Sequence, residues 1–351
     1  MFKQRSVLQI NSERHGSSWF KVLGDIAYII EQGKLFTIQG DKELVKTYAD
    51  TALEITKSSK SILVGNSSLG YDLINLDQSI NNEPKLKGFK LPFDSKSELV
   101  YFFRRDRKSK EYRSGLFDTN SSSFVLNKDS ILNINFIDDG VYLNAENVRL
   151  DNEGNPIWSL DSDQFGEGEL KEILGVYQDQ LLVACSEHLL LSVDVNTGEI
   201  TRKWHELPGF EAGQFYKDVL PEPSNFVLDK SQAKLIGVFD TYYFDIDIVS
   251  GEINYHQLKD ELSKYGISDF RPFNNNPFTT DHLFLTAHSY LAEFPDIDFS
   301  SVLALNRHTK KVDWVHIFKD TGLGTNVPQI TSTHLYQLDT EKNLYVFERI
   351  S

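Results

Sequence analysis

The sequence predicts an all-β protein built from repeated units, and three observations support that prediction. A strand–turn–strand pattern recurs along the 351 residues, aromatic residues make up 12% of the chain, and no long helical pattern interrupts the strands. Aromatic residues pack well on pleated strands. One or two further short strands precede most copies of the pattern, and four-stranded units repeated in this way indicate a β-propeller.

The clearest copy of the pattern is "LSVDVNTGEITRKW" at 191–204. An apolar strand ends at Asp194, a polar turn contains Gly198, and a second strand ends at Trp204. Short polar side chains accept hydrogen bonds from nearby N–H groups in such turns, and glycine tolerates a positive φ. We therefore expect Asp194 to cap a turn rather than to take part in chemistry.

Four further copies follow the same order of strand, polar turn and aromatic strand end. They are "VRLDNEGNPIWSL" with Trp158, "YFDIDIVSGEINYH" with Asp247 and Gly251, "VLALNRHTKKVDWV" with Asn306 and Trp314, and "LYQLDTEKNLYVFE" with Asp339. The acidic residues in these copies have the same expected role as turn caps.

The repeats predict eight blades of four antiparallel strands within a single propeller domain spanning 1–351. The predicted blades lie near 19–48, 53–89, 91–126, 129–160, 169–204, 224–258, 280–316 and 327–348. Seven blades is the alternative, because the first three units are the least regular. The last unit has room for three strands only, so we expect residues 5–11 to supply its fourth strand and to leave no open sheet edge.

These copies resemble the pyrroloquinoline-quinone-type propeller repeat over residues 140–348. The resemblance implies that Trp158, Trp204 and Trp314 pack between neighbouring blades. The repeat occurs in quinone-dependent dehydrogenases and also in scaffolds without enzymatic activity, so it indicates a blade and not a reaction. The chain has one cysteine, where the quinone enzymes use an adjacent pair, and no local calcium motif. The sequence is interpreted as a scaffold-like member that binds no cofactor.

The composition restricts the possible partners and the compartment. The chain has 51 acidic and 36 basic residues, a net charge of −15, which argues against binding to nucleic acid or an anionic membrane and favours a basic partner. A single cysteine, Cys185, excludes an intramolecular disulfide and fits a reducing compartment. No apolar segment has the length of a signal peptide or a membrane span. We expect a cytoplasmic monomer.

Three long connections, 205–225, 259–280 and 288–300, are expected to lie on one face of the propeller, where ligands and partners usually dock. They are rich in aromatic residues, which are common at the centre of protein interfaces. The candidate partner-binding residues are Phe210, Phe215, Tyr216, Phe270, Arg271, Phe273, Phe294, Asp296 and Asp298. The alternative is that the aromatic rings pack these connections down onto the propeller.

One basic hairpin stands out in this acidic chain. The segment "FFRRDRKSKEYR" at 102–113 contains Arg104, Arg105 and Arg107, and it is either a solvated hairpin tip or a contact for an acidic partner. The acidic segment 159–172 has a spacing faintly similar to a calcium loop, but it lacks the other ligand positions, so no metal is predicted.

The sequence therefore predicts a non-catalytic protein-binding scaffold that uses its loop face. A narrower form of this hypothesis is an inhibitor of the immunity type that binds a basic partner. The alternative is a hydrolase or lyase that acts on a sugar or another small molecule at the central channel. We assign no catalytic residue, because no histidine, serine or cysteine motif in the chain forms a recognisable catalytic set.

Overall fold

The computed structural model describes residues 1–10, 19–39, 41–106, 111–160, 169–271, 275–291 and 293–350. The fold is an all-β, eight-bladed β-propeller with antiparallel blades, as predicted. The first strand, β1 (Phe2–Gln9), belongs to the last blade. Contacts group the chain into two compact units, one of residues 10–161 and one of residues 1–9 with 162–351. The single-domain assignment stays a prediction.

The unit of residues 10–161 contains blades 1 to 4. Its strands are β2 (Phe20–Leu23), β3 (Ile26–Glu31), β4 (Lys34–Ile38) and β5 (Lys42–Thr47) in blade 1; β6 (Glu54–Lys57), β7 (Ser61–Asn66), β8 (Gly70–Asn75) and β9 (Ile80–Glu83) in blade 2; β10 (Leu99–Arg105), β11 (Tyr112–Asp118) and β12 (Ser123–Lys128) in blade 3; and β13 (Ile134–Asp138), β14 (Val141–Asn144), β15 (Val148–Leu150) and β16 (Pro156–Ser159) in blade 4. A short 3-10 helix, Pro84–Leu86, follows blade 2.

The second unit contains blades 5 to 8. Its strands are β17 (Leu170–Tyr177), β18 (Gln180–Cys185), β19 (Leu190–Asp194) and β20 (Ile200–Trp204) in blade 5; β21 (Glu206–Ala212) and β22 (Tyr216–Val219) in a separate hairpin; β23 (Val227–Asp229), β24 (Lys234–Phe239), β25 (Tyr242–Asp247) and β26 (Ile253–Gln257) in blade 6; β27 (Ile267–Phe270), β28 (His282–Leu291), β29 (Phe294–Asn306) and β30 (Val312–Phe318) in blade 7; and β31 (Gln329–Ile330), β32 (His334–Leu338) and β33 (Asn343–Arg349) in blade 8. A 3-10 helix, Pro223–Asn225, precedes blade 6, and helix α1 (Lys259–Ser263) precedes blade 7.

The apolar cores lie between successive blades of each unit. In one cluster, Leu182 and Leu190 of blade 5 are buried together with Phe226, just ahead of β23, and Phe244 of blade 6. A second cluster joins blades 6 and 7, and a third joins blades 7 and 8. Burying one apolar face of a blade against the next removes that surface from water, and this burial is the main force that holds the blades of a unit together.

The N-terminal strand completes the last blade, as the sequence predicts. β1 pairs antiparallel with β33, in the sheet order β1-β33-β32-β31. The strand begins three residues earlier than expected, at Phe2, whose side chain is buried. The extra residues pair because the register with β33 runs on to Arg349.

All three predicted connections are partly strands, and the segment 205–225 contains β21 and β22. The segment 259–280 is predicted to be a connection, but it contains β27, the first strand of blade 7. The segment 288–300 lies almost wholly in β28 and β29, because their pairing continues from Ser289–Phe299 to Leu291–Phe294. Alternate burial keeps the segment in the sheet, since Ser289, Phe299 and Ser301 are all buried.

Candidate partner-binding face of blades 5 to 7

The acidic residues of the repeat cap their turns. The Asp194 carboxylate accepts hydrogen bonds from the N–H groups of Asn196 and Thr197 at 2.8 and 2.9 Å. Donation by the Ser250 N–H lowers the pKa of Asp247, and Asp339 accepts from two N–H groups in the same way. Gly198 and Gly251 have φ values of 76° and 84°. These hydrogen bonds and backbone angles are those expected of turn residues.

Trp204 joins blade 5 to blade 6. Its indole N–H donates a 2.9 Å hydrogen bond to the Gly251 carbonyl, and its ring is buried. Arg202 lies over the ring of Trp204 and donates to the carbonyls of Ile248 and Val249. The outer strand of blade 5 is thereby tied to the last turn of blade 6, which is the position that the repeat resemblance implies for this tryptophan.

The other two repeat tryptophans lie in outer strands as well. Trp314 of blade 7 makes edge-to-face contacts with Phe2 and Phe347 of blade 8, with ring centroids 5.3 and 5.1 Å apart. Trp158 lies partly buried on β16, opposite Arg149. Its packing between blades stays a prediction.

The hairpin β21–β22 is anchored along its first strand. Leu207, Phe210 and Ala212 are buried in the core between blades 5 and 6. The Phe210 ring, 1% exposed, packs edge-to-face on Tyr242 and Tyr255 at 5.0 and 5.4 Å. Phe210 is therefore removed from the partner-binding set, and for this residue the alternative of packing against the propeller holds.

Phe215 at the tip of the same hairpin has the opposite environment. Its side chain is 77% exposed, in the turn between β21 and β22. The neighbouring Gly213 has a φ of 60° and open space around it. The hairpin thus holds a large apolar ring in solvent while its first strand is fixed in the core.

Tyr216, next to the tip, connects the hairpin to the turns of blades 5 and 6. Its ring lies 4.4 Å from Phe239 and 5.2 Å from His188, between ring centroids. Its hydroxyl donates a 2.8 Å hydrogen bond to Glu222, and burial together with this carboxylate raises its pKa to about 12. Tyr216 is half-buried, so it supports the tip rather than projecting beside it.

Blade 7 continues this surface. The Phe270 N–H donates to the Asp240 carbonyl in the turn 240–241 of blade 6, and the Tyr290 N–H donates to the Gly266 carbonyl. Tyr290 and Ile297, which no sequence motif identifies, are 43% and 48% exposed on the β28–β29 hairpin. We call the surface formed by the β21–β22 and β28–β29 hairpins and the turns 186–189 and 240–241 the binding face.

The remaining candidates of blade 7 differ in their surroundings. Phe270 is buried and is removed from the set, because β27 places it in the core between blades 6 and 7. Arg271 is half-buried and donates a 3.4 Å hydrogen bond to the Ser300 hydroxyl. Asp298 is exposed and lies 2.7 Å from the imidazole Nδ1 of His288. Phe273 and the side chains of Phe294 and Asp296 lie outside the described residues.

The basic hairpin of blade 3 forms contacts within itself. The Arg104 guanidinium lies 3.5 Å from the Glu111 carboxylate, and that of Arg105 lies over the Tyr112 ring at 5.5 Å. Arg107 lies outside the described residues. These contacts fit the solvated hairpin, and they leave contact with an acidic partner as a prediction.

Cys185 is buried on β18, and burial raises the pKa of its thiol to about 11. A thiol with this pKa is protonated at neutral pH and is a poor nucleophile.

Among the described residues, His, Cys, Asp and Glu side chains form no group of three that could hold a metal ion. In the same part of the chain, none of the helices has the length and apolar character to cross a membrane.

No family model and no curated protein matches the chain. Several solved structures match the chain. Sqt1 of Saccharomyces cerevisiae has 10% sequence identity over 98% of this chain and 100% of that one, with a TM-score of 0.54. The C-terminal WD40 domain of Sif2 has 9% identity over 100% of this chain and 99% of that one, with a TM-score of 0.51. BamB from Moraxella catarrhalis has 14% sequence identity over 99% of this chain and 98% of that one, with a TM-score of 0.49. The likeness to Sqt1 and Sif2 shows the fold alone, and membership of the quinone-type repeat superfamily stays a prediction.

Proposed function

We propose that the chain is a non-catalytic scaffold that binds a protein partner through the binding face. The observation that supports this most directly is Phe215, 77% exposed at the tip of an anchored hairpin. Large apolar side chains exposed in this way often become buried in interfaces, where aromatic anchors contribute much of the binding energy. A fixed first strand also lowers the entropy that the tip loses on binding.

The charge around Phe215 favours a basic partner. Acidic side chains exposed on the hairpin and on the turns beside it are Glu187, Glu206, Glu211, Asp218 and Asp240, and Lys217 is the basic residue of the hairpin. Together with the net charge of −15, these carboxylates would attract a partner that presents basic groups around an apolar pocket. The narrower form of our proposal is an immunity-type inhibitor that covers the basic surface of its partner.

The proposal also accounts for the acidic residues that first suggest chemistry. Asp194, Asp247 and Asp339 accept hydrogen bonds from the N–H groups of their own turns. Their carboxylates stabilise the hairpin ends of the blades, so the repeat motif needs no catalytic explanation.

The test uses the full chain and its Phe215→Ser variant as bait in extracts of the native host. We expect the chain to recover one stoichiometric basic protein and F215S to lose it, with binding weakened by at least about tenfold, because an exposed aromatic anchor is replaced by a small polar group. Affinity is then measured with the purified partner at low and at raised salt, and it should fall as salt screens the charges.

The matched control is Val249→Ser, which removes another highly exposed apolar side chain from a turn of blade 6. V249S should bind like the unchanged chain, and both variants should keep its thermal unfolding temperature. Equal recovery of the partner by F215S would contradict the binding face. Affinity that does not change with salt would contradict the basic partner.

A further inference from the structure

Blade 3 departs from the four-stranded pattern, and the departure leaves a cavity. Among the described residues its sheet contains β10 to β12, while the segment 90–95 makes a single bridge to it, between Lys90 and Phe103. The segment bonds instead to blade 2, where the Ser95 N–H donates to the Lys57 carbonyl at 2.7 Å and the Thr56 hydroxyl donates to the Leu91 carbonyl at 3.4 Å.

The cavity has a volume of about 370 Å³ and is lined by residues of blades 1 to 3 and of this segment. Small-molecule sites in proteins typically have about 300 to 1,000 Å³ and combine apolar walls with a few polar groups. The polar lining residues here are Lys21, Glu54, Thr56, Lys90 and Asp94. The size and the mixture of walls are those of a site for a small molecule.

The apolar wall contains a stack of aromatic rings. Phe93 and Phe103 both line the cavity, and Tyr101 lies between them. The ring centroids are 6.0 Å apart from Phe93 to Tyr101 and 6.2 Å apart from Tyr101 to Phe103, with planes within 20° and 19° of parallel. Phe93 and Phe103 are half-buried, so a flat ring can pack against the exposed parts of the stack.

Charged groups of both signs lie beside this stack. The lining contains the ammonium groups of Lys21 and Lys90 and the carboxylates of Glu54 and Asp94, and Lys57 lies near enough to Asp94 and Lys21 for both to affect its pKa. Asp94 is paired with Lys21 and also accepts a 2.9 Å hydrogen bond from the Lys57 N–H. Burial, together with the positive charge of Lys21, lowers the pKa of Lys57, whereas Asp94 raises it. The Asp94 carboxylate is thus held by Lys21 and by the backbone of Lys57, and an anion in the cavity would add a favourable interaction with the ammonium groups of Lys57 and Lys90.

We infer that this cavity binds a small organic anion with an aromatic body. The anionic group lies near Lys90 and Lys21, and the ring packs on Phe93 and Phe103. The charged group and the flat ring are both needed, because the lysines supply attraction for the anion and the stacked rings supply apolar contact area. The site uses residues of blades 1 to 3, and it does not rest on the proposed protein-binding function.

The test titrates the purified full chain with 2-naphthoate and measures binding by calorimetry. We expect saturable binding to one site, weakened about tenfold by Lys90→Ala, because the exposed Lys90 contributes a charge-assisted contact to the anion and little to the fold. The matched control is Lys217→Ala, which removes an exposed lysine from the β21–β22 hairpin and should leave the affinity unchanged.

Two further probes separate charge from shape. Uncharged 2-naphthamide and ringless inorganic phosphate should each bind at least about tenfold more weakly than 2-naphthoate. Equal binding of the amide would mean that the lysines do not recognise charge, and equal binding of phosphate would mean that the rings do not contribute. Either result overturns the inference, as does the absence of naphthoate binding or full affinity in K90A.

Discussion

At the scale of single residues, Arg307 and Asp229 form an ion pair inside the protein although 78 positions separate them in the chain. Their side chains are 3% and 2% exposed, and the guanidinium lies 2.6 Å from the carboxylate. Arg307 also donates to the Thr279 carbonyl and the Gln232 amide oxygen. Burial alone would raise the pKa of Asp229, but the hydrogen bonds from Ser231 and Arg307 hold it below its usual value.

We predict that Asp229→Asn lowers the free energy of unfolding by about 3 kcal/mol, since it leaves the Arg307 charge buried without its partner. The double variant D229N/R307M should lose less than the sum of the two single variants, because it removes both charges together. Urea denaturation at neutral pH measures these differences. The matched control is Asp281→Asn in the exposed Asp281–His308 pair, which should have little effect. Additive losses in the double variant would contradict the coupling.

Sequence reasoning predicts the turn caps but not this ion pair. A turn cap such as Asp194 bonds to residues two and three positions away, so local spacing is enough to identify it. The partner of Arg307 is decided by how blade 7 packs on blade 6, and no local pattern contains that information. The cavity beside blade 3 was missed for a similar reason, because Lys21 and Lys90 meet only in the folded unit.

At the scale of elements, the last turn of blade 6 depends on glycine at position 251. Gly251 has a φ of 84°, and a Cβ atom built there would lie 2.6 Å from a guanidinium nitrogen of Arg202. The same guanidinium donates hydrogen bonds to the carbonyls of Ile248 and Val249. A side chain at 251 would therefore strain the turn and also displace the arginine that ties it to blade 5.

We predict that Gly251→Ala destabilises the protein by about 2 to 3 kcal/mol, of which about 1 kcal/mol comes from the positive φ and the rest from lost Arg202 contacts. The matched control is Gly213→Ala, which has a φ of 60° but no atom within 4 Å of the added Cβ, and it should lose only the backbone part. Thermal or urea unfolding of both variants provides the comparison. Equal losses of stability in the two variants would show that the Arg202 side chain moves aside at no cost in free energy.

Element types were easier to predict than the environment of individual aromatic residues. The periodic strands and polar turns predict eight blades, whereas the four residues of β27 fall in a segment that the sequence predicts to be a connection. Phe210 and Phe215 lie on one hairpin, yet one is buried and the other is exposed. The ring of Phe210 is covered by Tyr242 and Tyr255 of blade 6, which the sequence of the hairpin does not reveal.

At the scale of the whole molecule, the fold pairs the beginning of the chain with its end. β1 lies on the outer edge of blade 8, and the Phe2 side chain, 8% exposed, contacts the rings of Phe284 and Trp314 of blade 7. One strand therefore supplies hydrogen bonds to β33 and apolar contact to the neighbouring blade. Without it, β33 would present an unpaired edge, which is a surface that promotes association between chains.

Removing residues 1–9 should lower the unfolding temperature by at least about 3 °C, because the buried area of Phe2 and the pairing with β33 are both lost. The shortened chain should also form oligomers as its concentration rises, measured by light scattering. A synthetic peptide of residues 1–10 added in trans should restore the temperature, and the same peptide with Phe2→Ala should restore less of it. If the shortened chain kept both its unfolding temperature and its monomeric state, the last blade would be stable with three strands and β1 would have no closing role.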